Sequence, residues 1–261
     1  MQIQNTEESG IVLSGGGVRG MAHIGVLRAL KEHGIMPKWV AGTSVGALVG
    51  ALYASGKDTQ EMLSFFSETP LFKYNFFSIN KPGLLNTERY HAIFREFWPE
   101  NSFESLHRPL FVVATDLLKG GEVIFNKGEL IPPLLASAAL PPIFSPVEIN
   151  STLYADGGIM NNFPLEPLVG KARYLIGSNV SVVKELTNKN LRTSLQLANR
   201  TTALMIYAIN RGKIRQCDLV FEPVELEKIG VLDKKGITNA YTIGYEHAMR
   251  ILENEEYQTS S

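Results

Sequence analysis

Ser44, the central residue of the pentapeptide GTSVG, is the first residue whose type and surroundings suggest covalent chemistry. A strand-like run precedes it and an apolar helical run follows it, which is the setting of a nucleophile elbow. In such an elbow Gly42 and Gly46 leave room for a strained turn, and the amide of Val45 is placed to stabilise an oxyanion. The competing interpretation is a plain serine N-cap, which any strand–helix loop can carry.

A serine hydroxyl is weakly nucleophilic until a neighbouring base takes its proton. The candidate base is Asp156 in the segment YADGGIMNNFP, where Gly157 and Gly158 follow it directly. Asp-Gly alone is usually only a turn. In the chain order Ser-Asp-His, the histidine would have to be His247, which lies in a predicted helix where a structural role is commoner. A direct Ser-Asp dyad is therefore the simpler arrangement.

A glycine-rich loop precedes both motifs and fits the pattern G-x-G-x-x-G between a strand and a helix. It consists of Gly15, Gly16, Gly17, Val18, Arg19 and Gly20. One interpretation is a dinucleotide site, but the next strand ends in AGTS and lacks the carboxylate that would hold a ribose. The other is an oxyanion hole, because successive backbone N–H groups and the helix dipole favour negative charge there.

The elements that must position these motifs alternate between short apolar strands and amphipathic helices, which predicts an α/β layer fold around a mainly parallel sheet. Adjacent parallel strands would open the glycine loop and the serine turn on the same sheet edge. Strands are predicted at 11–14, 38–43, 109–117, 122–125, 174–180 and 219–221. Helices are predicted at 19–33, 45–54, 58–66, 90–97, 194–209 and 238–252.

Composition favours a single domain that spans residues 1–261. A chain of 261 residues that is 44% hydrophobic and 20% charged can bury a substantial core. Residues 1–9 and 254–261 are expected to be flexible ends. A formal charge of -1 gives no basis for nucleic-acid binding. The polar N-terminus lacks a secretory signal, so a cytoplasmic location is expected. No metal motif occurs, and the single Cys217 is expected only to pack.

Taken in order, GGGVRG, GTSVG and DGG resemble the patatin-like phospholipase family. The similarity includes HIGVLRALKEHGI at 23–35 and SAALPPIFSPV at 137–147, and it is clear over roughly residues 10 to 180. The form DGGIMNNFP looks most like the bacterial stand-alone members related to the catalytic domain of neuropathy target esterase.

The resemblance implies a three-layer α/β/α fold and hydrolysis of esters of phospholipids, lysophospholipids or other acyl lipids without a cofactor. It assigns the nucleophile to Ser44, the base to Asp156 and the oxyanion donors to amides of the glycine loop. Arg19 holds the family's basic position, although a structural ion pair at the helix start is an equal alternative. Two other functions remain open: a catalytically silent lipid-binding protein and a nucleotide-dependent enzyme.

An acyl lipid substrate also requires contact with a membrane, which we expect to be peripheral, at the inner surface. The aromatic segment at 62–77 is either a lip over the acyl groove or core filling. The proline-rich segment at 131–147 either lines the groove or only routes the chain. A homodimer is compatible with the sequence, which carries no interface signature.

Overall fold

Eight strands form one mixed sheet at the centre of the computed structural model, which describes residues 8–69, 90–187 and 190–259. The strands are β1 (Ser9–Leu13), β2 (Trp39–Thr43), β3 (Leu110–Asp116), β4 (Gly121–Phe125), β5 (Val147–Ile149), β6 (Thr152–Asp156), β7 (Tyr174–Ser178) and β8 (Leu219–Phe221). The helices are α1 (Met21–Glu32), α2 (Val45–Ala54), α3 (Thr59–Glu68), α4 (Tyr90–Phe97), α5 (Ile131–Ser137), α6 (Ser194–Ile214) and α7 (Ile237–Thr259).

Five of the strands run parallel in the order β3-β2-β1-β7-β8. Parallel neighbours need a long crossover, and α1 provides it between β1 and β2, as α6 does between β7 and β8. The antiparallel strands β4 and β6 both pair with β3, and β5 pairs with β6. The predicted α/β fold with a mainly parallel sheet is confirmed.

Side chains of the inner strands alternate between two apolar cores, one on each face of the sheet. In β1, Ile11 and Leu13 point into the larger core, which most of the helices cover. Val12 points into a smaller core with Phe163 and Ile214, the last residue of α6. The sheet is therefore the middle of three layers, and the layer on the second face is thin.

Several element boundaries differ from the sequence prediction. α1 begins at Met21 instead of Arg19, because Gly17–Gly20 form a separate 3₁₀ turn. The last helix continues to Thr259, into the segment expected to be a flexible end, and β1 already includes Ser9 at the other end. Residues 1–7, 260 and 261 lie outside the described residues.

The sequence prediction missed β5, β6 and α5 altogether. α5 lies within the proline-rich segment, with prolines in its first turn, where a missing N–H costs no intrahelical hydrogen bond. Its side chains from Pro133 to Ser137 are buried, so this part of the segment is core.

Candidate active site

The two candidate catalytic residues meet because two strands end against the same edge of β3. β4 pairs with β3 from Val112 to Asp116, so β2 and β6 must share the opposite edge. On that edge Thr43 lies opposite Val113, and Asp156 lies opposite the next residue, Ala114. The end of β2, which Ser44 follows, thus meets the end of β6 head to head.

Ser44 occupies a strained backbone conformation, with φ 56° and ψ −128°. A positive φ is uncommon for a residue with a side chain and indicates a constraint imposed by the surrounding fold. Glycine is required on both sides: a Cβ at Gly42 would lie 2.4 Å from the carbonyl oxygen of Gly46, and one at Gly46 would lie 2.2 Å from that of Leu13. This is the predicted elbow, and the Ser44 side chain makes no capping bond to α2.

The hydroxyl of Ser44 donates a 2.6 Å hydrogen bond to Oδ2 of Asp156. The other carboxylate oxygen, Oδ1, accepts a 2.7 Å hydrogen bond from the amide of Gly158, so the Asp-Gly-Gly turn also orients the acid. Asp156 is only 4% exposed. Burial raises the pKa of Asp156 to about 6, against the opposing effects of the hydrogen bonds from Ser44 and Gly158.

Ser137 is a residue of the site that the sequence analysis did not identify. Its Oγ accepts a 2.9 Å hydrogen bond from the amide of Ser44 and donates one of 2.6 Å to the carbonyl oxygen of Val113. The side chain therefore fixes the elbow to β3. Ser137 is the last residue of α5, a helix that the sequence did not predict, so no local signal marked it.

The glycine loop lies against the nucleophile, since a Cβ at Gly15 would stand 3.2 Å from Cβ of Ser44. Two of its amides are already used. The amide of Gly15 donates to the carbonyl oxygen of Asn162 at 3.1 Å, and that of Val18 donates to Val231 at 2.8 Å. These two positions correct the expectation that the whole loop supplies oxyanion donors.

The amides of Gly16 and Gly17 make no hydrogen bond to the described residues outside their own helical turn. They remain available as donors, together with the amide of Val45, which opens α2 and has no intrahelical acceptor. The backbone φ of Gly17 is +58°, and a Cβ there would lie 2.2 Å from the carbonyl oxygen of Val231. Only glycine fits this position.

Arg19 has a structural role, but through hydrogen bonds to backbone carbonyls and not through the ion pair at the helix start that one sequence interpretation proposed. Its guanidinium donates to the carbonyl oxygens of Ile229 at 2.7 Å and Glu227 at 3.3 Å. The side chain fixes the segment after β8 against the glycine loop. Burial lowers the pKa of Arg19, an effect that the negative charge of Glu227 opposes.

Asn162 connects the two loops and was also missed. Its Nδ2 donates to Oγ of Ser181 at 3.0 Å, and its Oδ1 lies 2.3 Å from where a Cβ at Gly15 would stand. The same oxygen lies 2.7 Å from the Cβ position of Gly158. The signal that could have identified it is the polar pair NN that stands between the apolar residues of DGGIM and of FPL.

His23, which is buried, and His247, which is half-buried, form hydrogen bonds with groups other than Ser44. His23 is fully buried, with Nδ1 2.7 Å from Oγ of Ser178 and Nε2 2.9 Å from the carbonyl oxygen of Ser14, and burial lowers its pKa to about 4. Nε2 of His247 accepts a hydrogen bond from the amide of Glu222 at 3.2 Å. The structural interpretation of His247 is thereby confirmed.

Cys217 and the aromatic residues at the start of the 62–77 segment contribute to packing. The pKa of Cys217 is raised to about 12 by burial first and by the nearby acidic residues second, and the side chain packs against the smaller core. In α3, Met62, Phe65 and Phe66 are buried, so this part of the 62–77 segment is core. The rest of that segment, from 70 on, lies outside the described residues.

Residues 8–69, 90–187 and 190–259 contain no cluster of three acidic, histidine or cysteine side chains that could hold a metal.

Comparison with known proteins identifies the family of this chain. A family model described as patatin-like phospholipase matches residues 11–169. An uncharacterized NTE family protein of Mycobacterium tuberculosis is 36% identical over 162 residues, which are 61% of this chain and 45% of the relative. The neuropathy target esterase of Drosophila melanogaster is 31% identical over 167 residues, or 60% of this chain and 12% of the fly protein.

The chain thus spans less than half the length of these two relatives. Among solved structures, VipD from Legionella pneumophila superposes with a TM-score of 0.53 at 16% identity, covering 95% of this chain and 67% of VipD. At that identity the likeness concerns the fold alone.

Proposed function

The chain belongs to the patatin-like phospholipase family, and from this premise we propose that it is a serine-dependent acyl hydrolase. Its substrates are carboxylic esters of phospholipids, lysophospholipids or related acyl lipids. The observation that carries the proposal is the 2.6 Å hydrogen bond between the hydroxyl of Ser44, on a strained elbow, and the buried carboxylate of Asp156.

In the first step Asp156 accepts the proton of Ser44 as the hydroxyl oxygen attacks the ester carbonyl. The proton then passes to the leaving alcohol as the carbon–oxygen bond breaks, and an acyl-enzyme remains. In the second step Asp156 takes a proton from water, the hydroxide attacks the acyl carbon, and the fatty acid leaves as the proton returns to Ser44. A pKa of about 6 makes Asp156 a stronger base than an ordinary aspartate while it stays ionised near neutral pH.

The oxyanion of both tetrahedral intermediates is stabilised by the amides of Gly16, Gly17 and Val45. The first two belong to the loop that contacts Ser44, and the third directly follows it. Fixed backbone donors cost no reorganisation when the charge forms, which is why such sites accelerate acyl transfer strongly.

Binding of a nucleotide by the glycine loop is the weaker alternative. Val231 accepts the amide of Val18, and its carbonyl oxygen is in contact with Gly17. A pyrophosphate at this loop would have to displace that segment, which Arg19 holds through Ile229. The catalytically silent lipid-binding alternative leaves unexplained the backbone strain at Ser44 and the hydrogen bond to Asp156.

The test is hydrolysis of a chromogenic medium-chain ester by the wild type, Ser44→Ala, Asp156→Asn and His247→Ala, each checked for folding by circular dichroism. We expect Ser44→Ala and Asp156→Asn each to lose on the order of 10³-fold in kcat/KM, whereas His247→Ala keeps its activity. An inactive His247→Ala would replace the dyad by a triad. A wild type inert on soluble esters and on lipids would favour the silent lipid-binding protein.

A further inference from the structure

Helix α6 buries few of its side chains against the rest of the fold. Among its side chains that the structure describes, Asn210 and Ile214 alone are buried, and both lie in the last two turns. A 21-residue crossover helix normally buries one whole face against the sheet. Most of α6 is therefore exposed, although its sequence contains enough apolar side chains to form a buried face.

The exposed face carries an apolar stripe, here called the α6 stripe. It consists of Leu197, Leu204, Met205 and Ile209, with the small residues Thr201 and Ala208 between them. At 100° per residue these positions fall on one side of the helix. Met205 is 69% exposed and Leu197 is 53% exposed, values that are unusual for large apolar side chains on a helix.

The charge around the α6 stripe has one sign. From 188 to 216 the sequence contains six basic residues and no acidic one, in a chain whose formal charge is -1. Arg200 and Lys213 are paired with Glu227 and Glu166. The other described basic residues, Arg192, Arg211 and Arg215, are exposed and form no ion pair with the described part of the chain.

Both ends of α6 are fixed to segments that border the candidate site. Near its start Arg200 contacts Glu227, whose carbonyl oxygen Arg19 of the glycine loop also holds. Near its end Lys213 donates to Oδ1 of Asn161 at 2.8 Å, and the carbonyl oxygen of Asn161 accepts from Thr43, the neighbour of Ser44. A surface that α6 binds would thus be held beside the site.

We propose that α6 is an interfacial helix that docks the protein on an anionic lipid bilayer. The inference rests on the proposed function, because an acyl hydrolase of membrane lipids must meet its substrate at such a surface. The α6 stripe enters the boundary between headgroups and acyl chains, and Arg192, Arg211 and Arg215 contact lipid phosphates. No helix of the described residues is long and apolar enough to cross a membrane.

A second copy of the chain fits the same face less well. In a twofold antiparallel pairing centred between Met205 and Ile206, Arg200 would lie opposite Arg211 of the other copy. Arg200 already has Glu227 of its own chain as a partner, and α6 has no acidic side chain to pair with Arg211, so the like charges oppose association. An anionic bilayer matches both the apolar stripe and the charge.

The experiment is vesicle flotation in the Ser44→Ala background, so that the lipid is not hydrolysed. Mixed phosphatidylcholine–phosphatidylglycerol vesicles are compared with pure phosphatidylcholine. One double variant removes the apolar contact, Leu204→Gln with Met205→Gln, and another removes charge, Arg211→Gln with Arg215→Gln. The matched control is Met36→Gln with Ile124→Gln, two exposed apolar residues (44% and 39%). Met36 precedes β2 and Ile124 lies in β4, and both strands are on the other side of β1 from β7 and β8, which α6 connects.

We expect strong flotation with the anionic vesicles only, weakening as salt rises. The apolar pair should weaken binding at least about tenfold, and the arginine pair roughly 25-fold, at about fivefold for each basic side chain. The control pair should bind like its parent. If the apolar variant fails to fold, as judged by its thermal melt, the arginine pair decides.

Three results would overturn the docking proposal: no flotation of the parent, equal flotation with neutral vesicles, or variants of α6 that bind like the control pair. A dimer that the α6 apolar variant dissociates without changing flotation would assign the stripe to a second copy instead. Ester hydrolysis by wild type separates this proposal from the proposed function. A protein that floats but hydrolyses nothing loses only the hydrolase assignment, and one that hydrolyses esters but never floats loses only the docking helix.

Discussion

At the scale of single residues, Ser44 and Asp156 form a hydrogen-bonded pair, and the pKa of Asp156 lies above the ordinary value of an aspartate. The carboxylate of Asp156 is buried and accepts two hydrogen bonds, and the loss of solvation outweighs both. A base with a pKa near the working pH combines proton affinity with a useful ionised fraction. This balance has a direct kinetic consequence.

We predict that kcat/KM for a soluble ester decreases on the acid side with an apparent pKa of about 6. Only ionised Asp156 can accept the proton, so the rate should be level above about pH 7 and lose about tenfold per unit well below 6. The pH profile of the wild type checks this. His247→Ala should show the same acid limb, and a limb near pH 4 would mean that burial does not perturb Asp156.

We predict that Ser137→Ala lowers kcat by at least about tenfold at nearly unchanged KM, because it frees the backbone that presents the nucleophile. Ser55→Ala is the matched control: Ser55 also donates to a backbone carbonyl and accepts one N–H, but at the far end of α2. Each variant should lose about 1–3 kcal/mol of unfolding free energy. Steady-state kinetics that show equal kcat losses for both serines would reduce Ser137 to a general stabiliser.

At the scale of elements, backbone contact through glycine determines how closely neighbouring segments approach. α1 and α7 touch through Gly25 and Gly244: a Cβ at Gly25 would lie 2.3 Å from the carbonyl oxygen of Tyr241, and one at Gly244 would lie 2.2 Å from that of Ala22. This contact holds α7 against the helix that follows the glycine loop. Gly212, in α6, has no neighbour within 4 Å of its Cβ position.

We predict that Gly244→Ala destabilises the protein by about 1–3 kcal/mol, since a backbone atom cannot move aside as a flexible side chain can. Gly212→Ala, also within a helix, should instead stabilise by up to about 1 kcal/mol through helix propensity alone. Urea unfolding of both variants compares them directly. A Gly244→Ala protein as stable as the wild type would show that α1 and α7 can separate without cost.

At the scale of the whole molecule, His23 joins three parts of the fold at one point. It belongs to α1, and its ring contacts Ser178 at the end of β7 and Ser14 after β1. The ring is fully buried, so charging it would require moving an ion into the core. Protonation of this residue is therefore linked to global unfolding.

We predict that His23 makes the protein less stable in mild acid. Its folded-state pKa, about 4, lies below the unfolded value of about 6.5, so the unfolded state binds the proton first. The contribution is complete above about pH 6.5 and is lost as the pH falls towards 4, by roughly 2 kcal/mol between about pH 7 and 5.

The check is urea unfolding at the two pH values for the wild type and His23→Gln, whose amide can replace the Nε2–H donor to Ser14 and does not titrate. The raised pKa of Asp156 acts in the opposite sense over this range, but it is common to both proteins and cancels in the difference. The same pH slope in both proteins would remove His23 from the linkage.

The sequence by itself determined the three motifs, the positions of the parallel strands and the pair Ser44 and Asp156, which the structure joins by a hydrogen bond. These are local properties: glycine spacing around Ser44, apolar runs and strand–turn–helix order follow from steric and hydrophobic rules that act over a few residues. Asp156 could be proposed because a serine needs a base and because the Asp-Gly-Gly segment stands in the order that the family resemblance implies.

Only the tertiary structure decided which amides are free, what anchors the elbow and which apolar faces remain uncovered. Val231 takes the amide of Val18, and Ser137 takes that of Ser44, across separations of more than 90 residues that no local pattern encodes. The exposure of α6 is likewise undetermined by its amphipathic sequence, which would suit a buried face equally well. Long-range pairing is a competition among all possible partners, and only the folded chain resolves it.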